Sequence, residues 1–201
     1  MTGDANDQPI VNIAGERVAL GPMHRQHVPL FERWMNDFAT QRLSGFPEPA
    51  EPWAAERVAQ FMERILINPD RAWFLIYETV SWRPIGHANL RDIDHRHRTA
   101  EFGITISDPA DRGKGYGTEA TRLILDYAFT ALGLHNVLLD TNEYNEAAIR
   151  AYHKAGFKEI GRRRQAYSIG GRLWDVIFMD CLASEFTSPV LSRVLRGEER
   201  H

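Results

Sequence analysis

Cysteine is nearly absent from this sequence, because Cys181 is the only one among 201 residues. A single thiol excludes an internal disulfide and a cysteine-rich metal site, and it fits a reducing compartment. Long apolar runs are absent too. No stretch approaches the roughly 20 residues that a transmembrane helix needs, and residues 1–8 are too polar for a signal peptide. We therefore predict a cytoplasmic protein with no membrane partner.

Charge of one sign is not in excess either. The net charge of −3 and the isoelectric point near 6.2 argue against nucleic acid as the main partner. No His-Glu-x-x-His or paired-cysteine spacing occurs, so we predict no metal site. Covalent catalysis has little support, because there is no Gly-x-Ser-x-Gly elbow and Cys181 falls on a predicted core strand, where an inert thiol is favoured.

What is present is the composition of one globular unit. Hydrophobic residues make up 43% of the chain and charged residues 25%, which is enough for one core at this length. We predict a flexible N-terminus over residues 1–12 and a single domain over residues 13–186. The tail, residues 187–201, is predicted to be partly helical or disordered.

Apolar periodicity alternates between strand-like and helix-like along the chain. Strands are predicted at residues 15–20, 73–78, 85–91, 100–106, 136–141, 157–163 and 174–182. Helices are predicted at residues 22–37, with the helix proper starting near Pro29, at 52–67, from a glycine-rich turn to Ala131, and at 145–155. Residues 40–51 are rich in glycine and proline and are predicted to be a loop. This alternation predicts an α/β (α+β) protein with a mixed sheet.

The glycine-rich turn lies between a predicted strand and a predicted helix. Its residues are Arg112, Gly113, Lys114, Gly115, Tyr116, Gly117 and Thr118. Glycines leave backbone N–H groups uncovered, and together with the helix dipole and two basic side chains they would seat a phosphate or pyrophosphate. A flexible connection is the alternative interpretation. A P-loop does not fit, because no lysine stands between Gly117 and Thr118.

Two segments resemble the GNAT family of N-acetyltransferases. Residues 112–117, Arg-Gly-Lys-Gly-Tyr-Gly, are similar to that family's Arg/Gln-x-x-Gly-x-Gly/Ala signature. Residues 145–157 are similar to its Asn-x-x-Ala-x-x-x-Tyr-x-x-x-Gly-Phe segment. Residues 97–104 resemble the branch that includes ribosomal-protein N-terminal acetyltransferases and many small-amine acetyltransferases. The resemblance covers roughly residues 16–185.

The resemblance implies the GNAT fold, a mixed and mostly antiparallel central sheet of about seven strands flanked by about four helices. It also implies acetyl-CoA as the cofactor, with the pantetheine arm along the backbone of residues 103–106, and a possible homodimer. The cofactor-binding residues that it implies are Ile104, Thr105, Ile106, Arg112, Gly113, Lys114, Gly115, Tyr116, Gly117, Thr118, Asn145 and Tyr152. For Asn145, capping of a helix is an equally good interpretation.

Acetyl transfer requires a group that takes a proton from the amine. We favour Glu101, which stands two residues before the segment that would bind the thioester carbonyl near Ile104. A salt-bridged strand carboxylate is the alternative interpretation of Glu101. Four other residues could accept the proton, but for each of them we favour the interpretation as a surface or loop residue whose hydrogen bonds are satisfied: His87, Asp92, Asp94 and Asp175.

The departing thiolate needs a proton in return. Tyr152 matches the family tyrosine near the sulfur of CoA, and a phenol can supply that proton. Its alternative role is to fill the apolar face of its helix. Four aromatic residues fall in segments that border the acceptor cleft by resemblance, although core packing explains each of them equally well: Trp34, Phe46, Trp53 and Tyr167.

The predicted function is acetyl transfer from acetyl-CoA to a primary amine of a small molecule, by direct attack in a ternary complex. One alternative is an acetyltransferase for a peptide N-terminus, such as that of a ribosomal protein. An alternative of another class is a non-catalytic acyl-CoA-binding module. Acceptor choice is expected to depend on the loop near residues 40–52 and the hairpin around residues 167–173, neither of which carries a motif.

Overall fold

The computed structural model of the protein describes residues 8–43 and 52–198. Within these residues it contains β1 (Ile13–Ala14), β2 (Val18–Pro22), β3 (Ala72–Glu78), β4 (Pro84–Asp94), β5 (Thr99–Ile106), β6 (Asn136–Asn142), β7 (Lys158–Ile169) and β8 (Arg172–Leu182). They form one sheet in the order β1-β2-β3-β4-β5-β6-β8-β7, and only the β5–β6 pair is parallel. The predicted mixed and mostly antiparallel sheet is confirmed, with one strand more than expected.

Six α-helices flank the sheet in the described part of the chain. They are α1 (Val28–Met35), α2 (Phe38–Leu43), α3 (Ala55–Leu66), α4 (Tyr116–Asp126), α5 (Glu146–Ala155) and α6 (Leu191–Leu195). A π-helical turn, Tyr127–Ala131, continues α4, so the predicted helix end at Ala131 is confirmed. The two helices beyond the expected four are α2 and α6.

Helices cover both faces of the sheet. On the first face, α4 and α5 pack into a core that contains Phe102, Leu123 and Tyr152. On the second face, α1 and α3 pack over β3 through Phe31, Met62 and Leu75. Side chains alternate between the faces along a strand, and directly paired residues share a face. The second face of β4 and β5 therefore carries the paired residues His87 and Thr105, Asn89 and Gly103, and Arg91 and Glu101.

Strands β5 and β6 are joined over only a short distance. Their register pairs Thr99–Glu101 with residues 136–138, and no pairing follows beyond Glu101. Strand β4 accompanies β5 as far as Ile106, and β8 accompanies β6 as far as Asn142. The sheet therefore splits between β5 and β6, and the backbone of residues 102–106 faces this split.

The predicted loop over residues 40–51 is partly wrong, since its first four residues belong to α2. The carboxylate of Asp37 accepts a hydrogen bond from the backbone N–H of Ala39 at 3.2 Å, and the carbonyl of Asp37 accepts one from Gln41 at 2.9 Å. Asp37 thus caps the helix, in the way that aspartate commonly does. Residues 44–51, including Phe46, lie outside the described residues.

The ends of the chain also differ from the predicted elements. The first predicted strand, residues 15–20, is shifted to Val18–Pro22, and the short β1 pairs with it. Strand β7 extends to Ile169 instead of ending at residue 163. It lies at the sheet edge, where polar residues are normal, so its charged middle hides the strand pattern.

Part of the predicted tail packs against the domain. The buried carboxylate of Asp126 accepts hydrogen bonds from the backbone N–H groups of Val190 at 2.9 Å and Leu191 at 2.8 Å. Leu191 is buried in the core of the first face. The domain boundary placed at residue 186 stays a prediction.

Candidate active site

The glycine-rich turn has the conformation that its sequence predicts. Gly113 and Gly115 take φ angles of 75° and 86°, in the left-handed region that glycine enters most easily. Gly115 is the N-cap residue of α4, and the first N–H groups of a helix have no partner within it. This turn therefore presents backbone donors and the positive end of the α4 dipole to one spot.

An ion pair between a buried carboxylate and a half-exposed guanidinium fixes the base of this turn. The carboxylate of Asp111, whose side chain is 2% exposed, receives two hydrogen bonds of 2.9 Å from the guanidinium of Arg83 in the β3–β4 connection. Lys114 lies 3.4 Å from the same carboxylate. The Arg83 hydrogen bond is the main reason why the pKa of Asp111 lies below its usual value. The sequence analysis did not identify this pair.

A cleft of about 380 Å³ runs from the turn along β5 and α5 to α2. Ten of the twelve predicted cofactor residues line it: Ile104, Thr105, Ile106, Arg112, Gly113, Gly115, Gly117, Thr118, Asn145 and Tyr152. The side chains of Lys114 and Tyr116 do not line it, and the Lys114 ammonium lies 5.8 Å from the Tyr116 ring centre. The structure thus brings both motifs to one cleft beside the split in the sheet.

Arg112 lines the cleft, but its guanidinium is already engaged by the protein. It donates to the Ile106 carbonyl at 3.1 Å, to the Ser107 carbonyl at 3.3 Å and to the Thr40 hydroxyl at 2.8 Å. Sequence analysis predicted Arg112 as a positive charge for a phosphate. Its contacts connect the end of β5 to α2, and its role toward a phosphate stays a prediction.

Helix α2 bridges the split between β5 and β6. On the β5 side, the Thr40 hydroxyl bonds the Ser107 carbonyl at 3.0 Å. On the β6 side, the carbonyl of Arg42 accepts from the Tyr144 hydroxyl at 2.6 Å, and that of Leu43 accepts from the Asn145 side-chain amide at 3.0 Å. Thr40 and Leu43 line the cleft, so α2 forms one of its walls.

Asn145 and Tyr152 lie on α5 and both face the cleft. The Asn145 side-chain oxygen caps α5 by accepting from the N–H of Ala148 at 3.3 Å, so the predicted capping role is confirmed. The Tyr152 ring packs edge-on against Phe102 and Phe157, with centres 6.1 and 6.0 Å away. Burial, with a smaller effect from Asp140, raises the pKa of Tyr152 far above its usual value, so the phenol keeps its proton at neutral pH.

Glu101 lies on the second face and is paired with Arg91. The Nε of Arg91 donates to Glu101 at 2.6 Å and its Nη2 to Asp140 at 3.4 Å, so one guanidinium bridges two carboxylates. The Glu101 side chain is 37% exposed. Burial chiefly, and Glu101 also, raise the pKa of Asp140, while Arg91 lowers it. Asp140, which sequence analysis missed, follows the point where β5 and β6 separate.

The expectation that His87 is a surface or loop residue is wrong. Its side chain is buried on β4 against the rings of Phe31, Trp34 and Trp73, with ring centres 5.0, 6.1 and 5.4 Å away. This burial lowers the pKa of His87 to about 4, so the ring is neutral at physiological pH. The ring neighbours come from α1 and β3, which are distant in sequence.

The other proton-acceptor candidates lie away from the cleft. Asp92 is exposed, Asp94 pairs with His97 at 2.8 Å, and Asp175 contacts Arg162 at 3.3 Å. Over residues 8–43 and 52–198, no cluster of histidine, cysteine and carboxylate groups could hold a metal ion. In the same ranges, no helix is long and apolar enough to cross a membrane.

A split parallel strand pair beside a glycine-rich helix start agrees with the acyl-CoA-dependent transferase that the two sequence motifs predict. Comparison with known families agrees, because residues 17–158 match the acetyltransferase (GNAT) domain. That match spans well over half of the 201 residues. The chain belongs to the GNAT acetyltransferase family, and the predicted acetyl-CoA-dependent N-acetyltransferase is confirmed.

Individual relatives give the same assignment. The spermidine N(1)-acetyltransferase of Escherichia coli K12 is 31% identical over 162 residues, 81% of this chain and 84% of that protein. A human protein named alpha/beta-tubulin-N-acetyltransferase 9 is 29% identical over 160 residues, 74% of this chain and 75% of that protein.

Among solved structures, the Vibrio cholerae spermidine N-acetyltransferase in complex with CoA and spermine superposes with a TM-score of 0.76 at 27% identity. The match covers 85% of this chain and 98% of the other. These relatives do not single out the ribosomal-protein branch, so that finer assignment stays a prediction.

Proposed function

We propose that this enzyme acetylates a primary amine of an aliphatic polyamine, such as spermidine or spermine. The observation that carries the proposal is the charge beside the split on the second face. Two carboxylates, those of Glu101 and Asp140, lie there with the guanidinium of Arg91. The excess of negative charge suits an acceptor that carries several ammonium groups. The similarity to two bacterial spermidine acetyltransferases supports the same class of acceptor.

In the proposed reaction the neutral amine attacks the thioester carbonyl carbon of acetyl-CoA. The carbonyl oxygen becomes negative and is stabilised by a backbone N–H near Ile104. The carbon–sulfur bond would then break, the thiolate would take a proton from the Tyr152 hydroxyl, and the phenolate would regain a proton from solvent. The geometry supports this role because the Tyr152 side chain lines the cleft.

The amine proton goes to the pair of carboxylates bridged by Arg91. Glu101 remains the predicted acceptor, and Asp140 is its partner in the same ion-pair network. A carboxyl group with a raised pKa accepts a proton more readily, which favours a contribution from Asp140. Glu101→Gln and Asp140→Asn should each lower kcat/KM for the amine, with Asp92→Asn, at an exposed site, as the control. Equal rates in all three variants would remove both carboxylates from the mechanism.

The remaining predictions belong to the same proposal. We place the enzyme in the cytoplasm as a homodimer, on the evidence of its single buried cysteine and its resemblance to the family. A peptide N-terminus is the second candidate acceptor, favoured by the similarity to the human tubulin acetyltransferase. The polyamine is preferred because the carboxylates beside the split match its charge.

The test is thiol release from acetyl-CoA with spermidine, spermine, an aminoglycoside and short peptides with free N-termini. We expect turnover with the polyamines and none with the peptides. Turnover with peptides alone would replace the polyamine by a protein acceptor. Tight binding of acetyl-CoA without turnover across the panel would favour a non-catalytic module.

A further inference from the structure

Five buried side-chain atoms in the described part of the chain have no hydrogen-bond partner. They are Trp73 Nε1, His87 Nδ1, Asn89 Oδ1, Ser107 Oγ and Asn142 Oδ1. A buried polar atom without a partner costs about 1–3 kcal/mol, so a native protein rarely keeps several together without a function. By strand alternation, all five belong to the second face or to the ends of β5 and β6 beside the split.

Two of these residues lie directly against β5. Asn89 is paired with Gly103, and a side-chain carbon at Gly103 would come within 3.2–3.3 Å of the Asn89 amide. His87 is paired with Thr105, which lines the cofactor cleft. Both are almost fully buried, with exposures of 6% for Asn89 and 8% for His87. The unpartnered atoms therefore lie one strand away from the backbone that faces the split.

The chemistry of this cluster suits an alkyl amine. The Asn89 oxygen is a hydrogen-bond acceptor, and a neutral imidazole offers one acceptor nitrogen. The rings of Phe31, Trp34 and Trp73 surround His87 and can contact methylene groups or a cationic amine. A ligand with N–H donors on an aliphatic chain satisfies both features.

We propose that Asn89 and His87 bind the reactive amine of the acceptor on the second face, beside the thioester. This inference rests on the proposed function and names the side chains that hold the amine which attacks. Neither side chain carries a negative charge at neutral pH, so neither stabilises the ammonium form as a carboxylate would. Burial disfavours the charged form of an amine. The site thereby favours the neutral nitrogen that attack requires.

The decisive variant is Asn89→Leu, which keeps the approximate shape and removes the acceptor oxygen. We expect KM for spermidine to rise at least tenfold and the affinity for acetyl-CoA to stay unchanged. The melting temperature should stay the same or increase, because the variant removes an unpaired buried amide. If Asn89 had only a structural role, Asn89→Leu would lower both the activity and the melting temperature. Thr141→Val, on the opposite face of β6, is the matched control and should change neither constant.

His87→Phe provides a second variant that keeps an aromatic ring and removes both nitrogens. It should also raise KM for spermidine without weakening acetyl-CoA binding. Wild-type KM in both Asn89→Leu and His87→Phe, with the wild type still acetylating spermidine, would overturn this inference and leave the proposed function intact. Failure of the wild type to bind or acetylate any polyamine would instead overturn the proposed function, and the inference with it.

Discussion

In the proposed assignment, the two sides of the split recognise their ligands by different chemistry. Toward α4 and α5, the cleft is formed by backbone N–H groups at a helix start, and glycines create the room. Toward α1 and α2, the surface is formed by side chains from several strands, such as Glu101 and Asp140. Backbone recognition leaves a fixed glycine spacing in the sequence, whereas side-chain recognition across strands leaves no local pattern. The type of cofactor can therefore be predicted from the sequence, whereas the type of acceptor cannot.

The largest effect is expected for Gly117→Leu, which tests whether the glycine-rich turn binds the cofactor. Gly117 does not need a positive φ, and a side-chain carbon there would meet only Ile106, at 3.7 Å. The fold should survive while the leucine fills the cleft, and acetyl-CoA affinity should fall about 1,000-fold, or about 4 kcal/mol. Calorimetric titration measures the loss. Gly161→Leu, at an open site on β7, is the control, and unchanged affinity in Gly117→Leu would refute the pyrophosphate assignment.

Tyr152→Phe tests whether the Tyr152 hydroxyl contributes to the chemical step without contributing to cofactor binding. The ring still packs against Phe102 and Phe157, but the proton for the thiolate is lost, so kcat should fall about 100-fold. Acetyl-CoA affinity should change little. Steady-state kinetics with a saturating amine measures the effect, and Tyr127→Phe is the control. A normal kcat would remove Tyr152 from the mechanism.

Asp111→Asn tests how much the ion pair with Arg83 stabilises the base of the glycine-rich turn. Removing the charge leaves Arg83 without its partner and should cost about 2 kcal/mol, less than for a fully buried pair because Arg83 is half exposed. The pKa of Asp111 is lowered by folding, so its contribution is present at neutral pH.

That contribution is lost as the pH falls through the folded pKa of Asp111. Thermal unfolding should therefore show a gap between wild type and Asp111→Asn at pH 7 that narrows below about pH 4. Asp108→Asn, which keeps its cap to Ala110, is the control. A gap that does not depend on pH would argue against the ion pair as its cause.

The smallest expected effect concerns the helix that joins the two sides. Thr40→Val removes the hydroxyl that receives Arg112 and donates to the Ser107 carbonyl, and it should cost about 1 kcal/mol. Because α2 contacts both sides of the split, KM should rise for acetyl-CoA and for the amine together. Thr79→Val, which also loses one hydrogen bond to a backbone carbonyl, should lower stability without affecting either KM. A rise confined to one substrate would show that α2 serves one side only.

Local chemistry accounts for what the sequence predicted well. Gly115 and Gly156 take the positive φ angles that favour glycine, and Asn145 caps α5, so the turn and the boundaries of α5 follow from single residues. The burial of His87 and the bridge made by α2 depend on contacts between residues far apart in sequence, including Thr40 with Ser107 and Arg42 with Tyr144. Neither follows from periodicity, because tertiary packing decides them.

The short junction between β5 and β6 has a consequence for stability. Only three residue pairs connect β1–β5 to β6–β8 within the sheet, fewer than at any other junction except the two pairs that join β1 to β2. A ligand in the cleft contacts β5 on one side and α5 on the other, and so acts as a removable cross-link between the two halves. Its binding free energy adds to the cohesion of the sheet, and each half gains protection from amide hydrogen exchange in proportion to cofactor occupancy. We therefore expect the two halves of the sheet to separate more easily after the product has left the cleft.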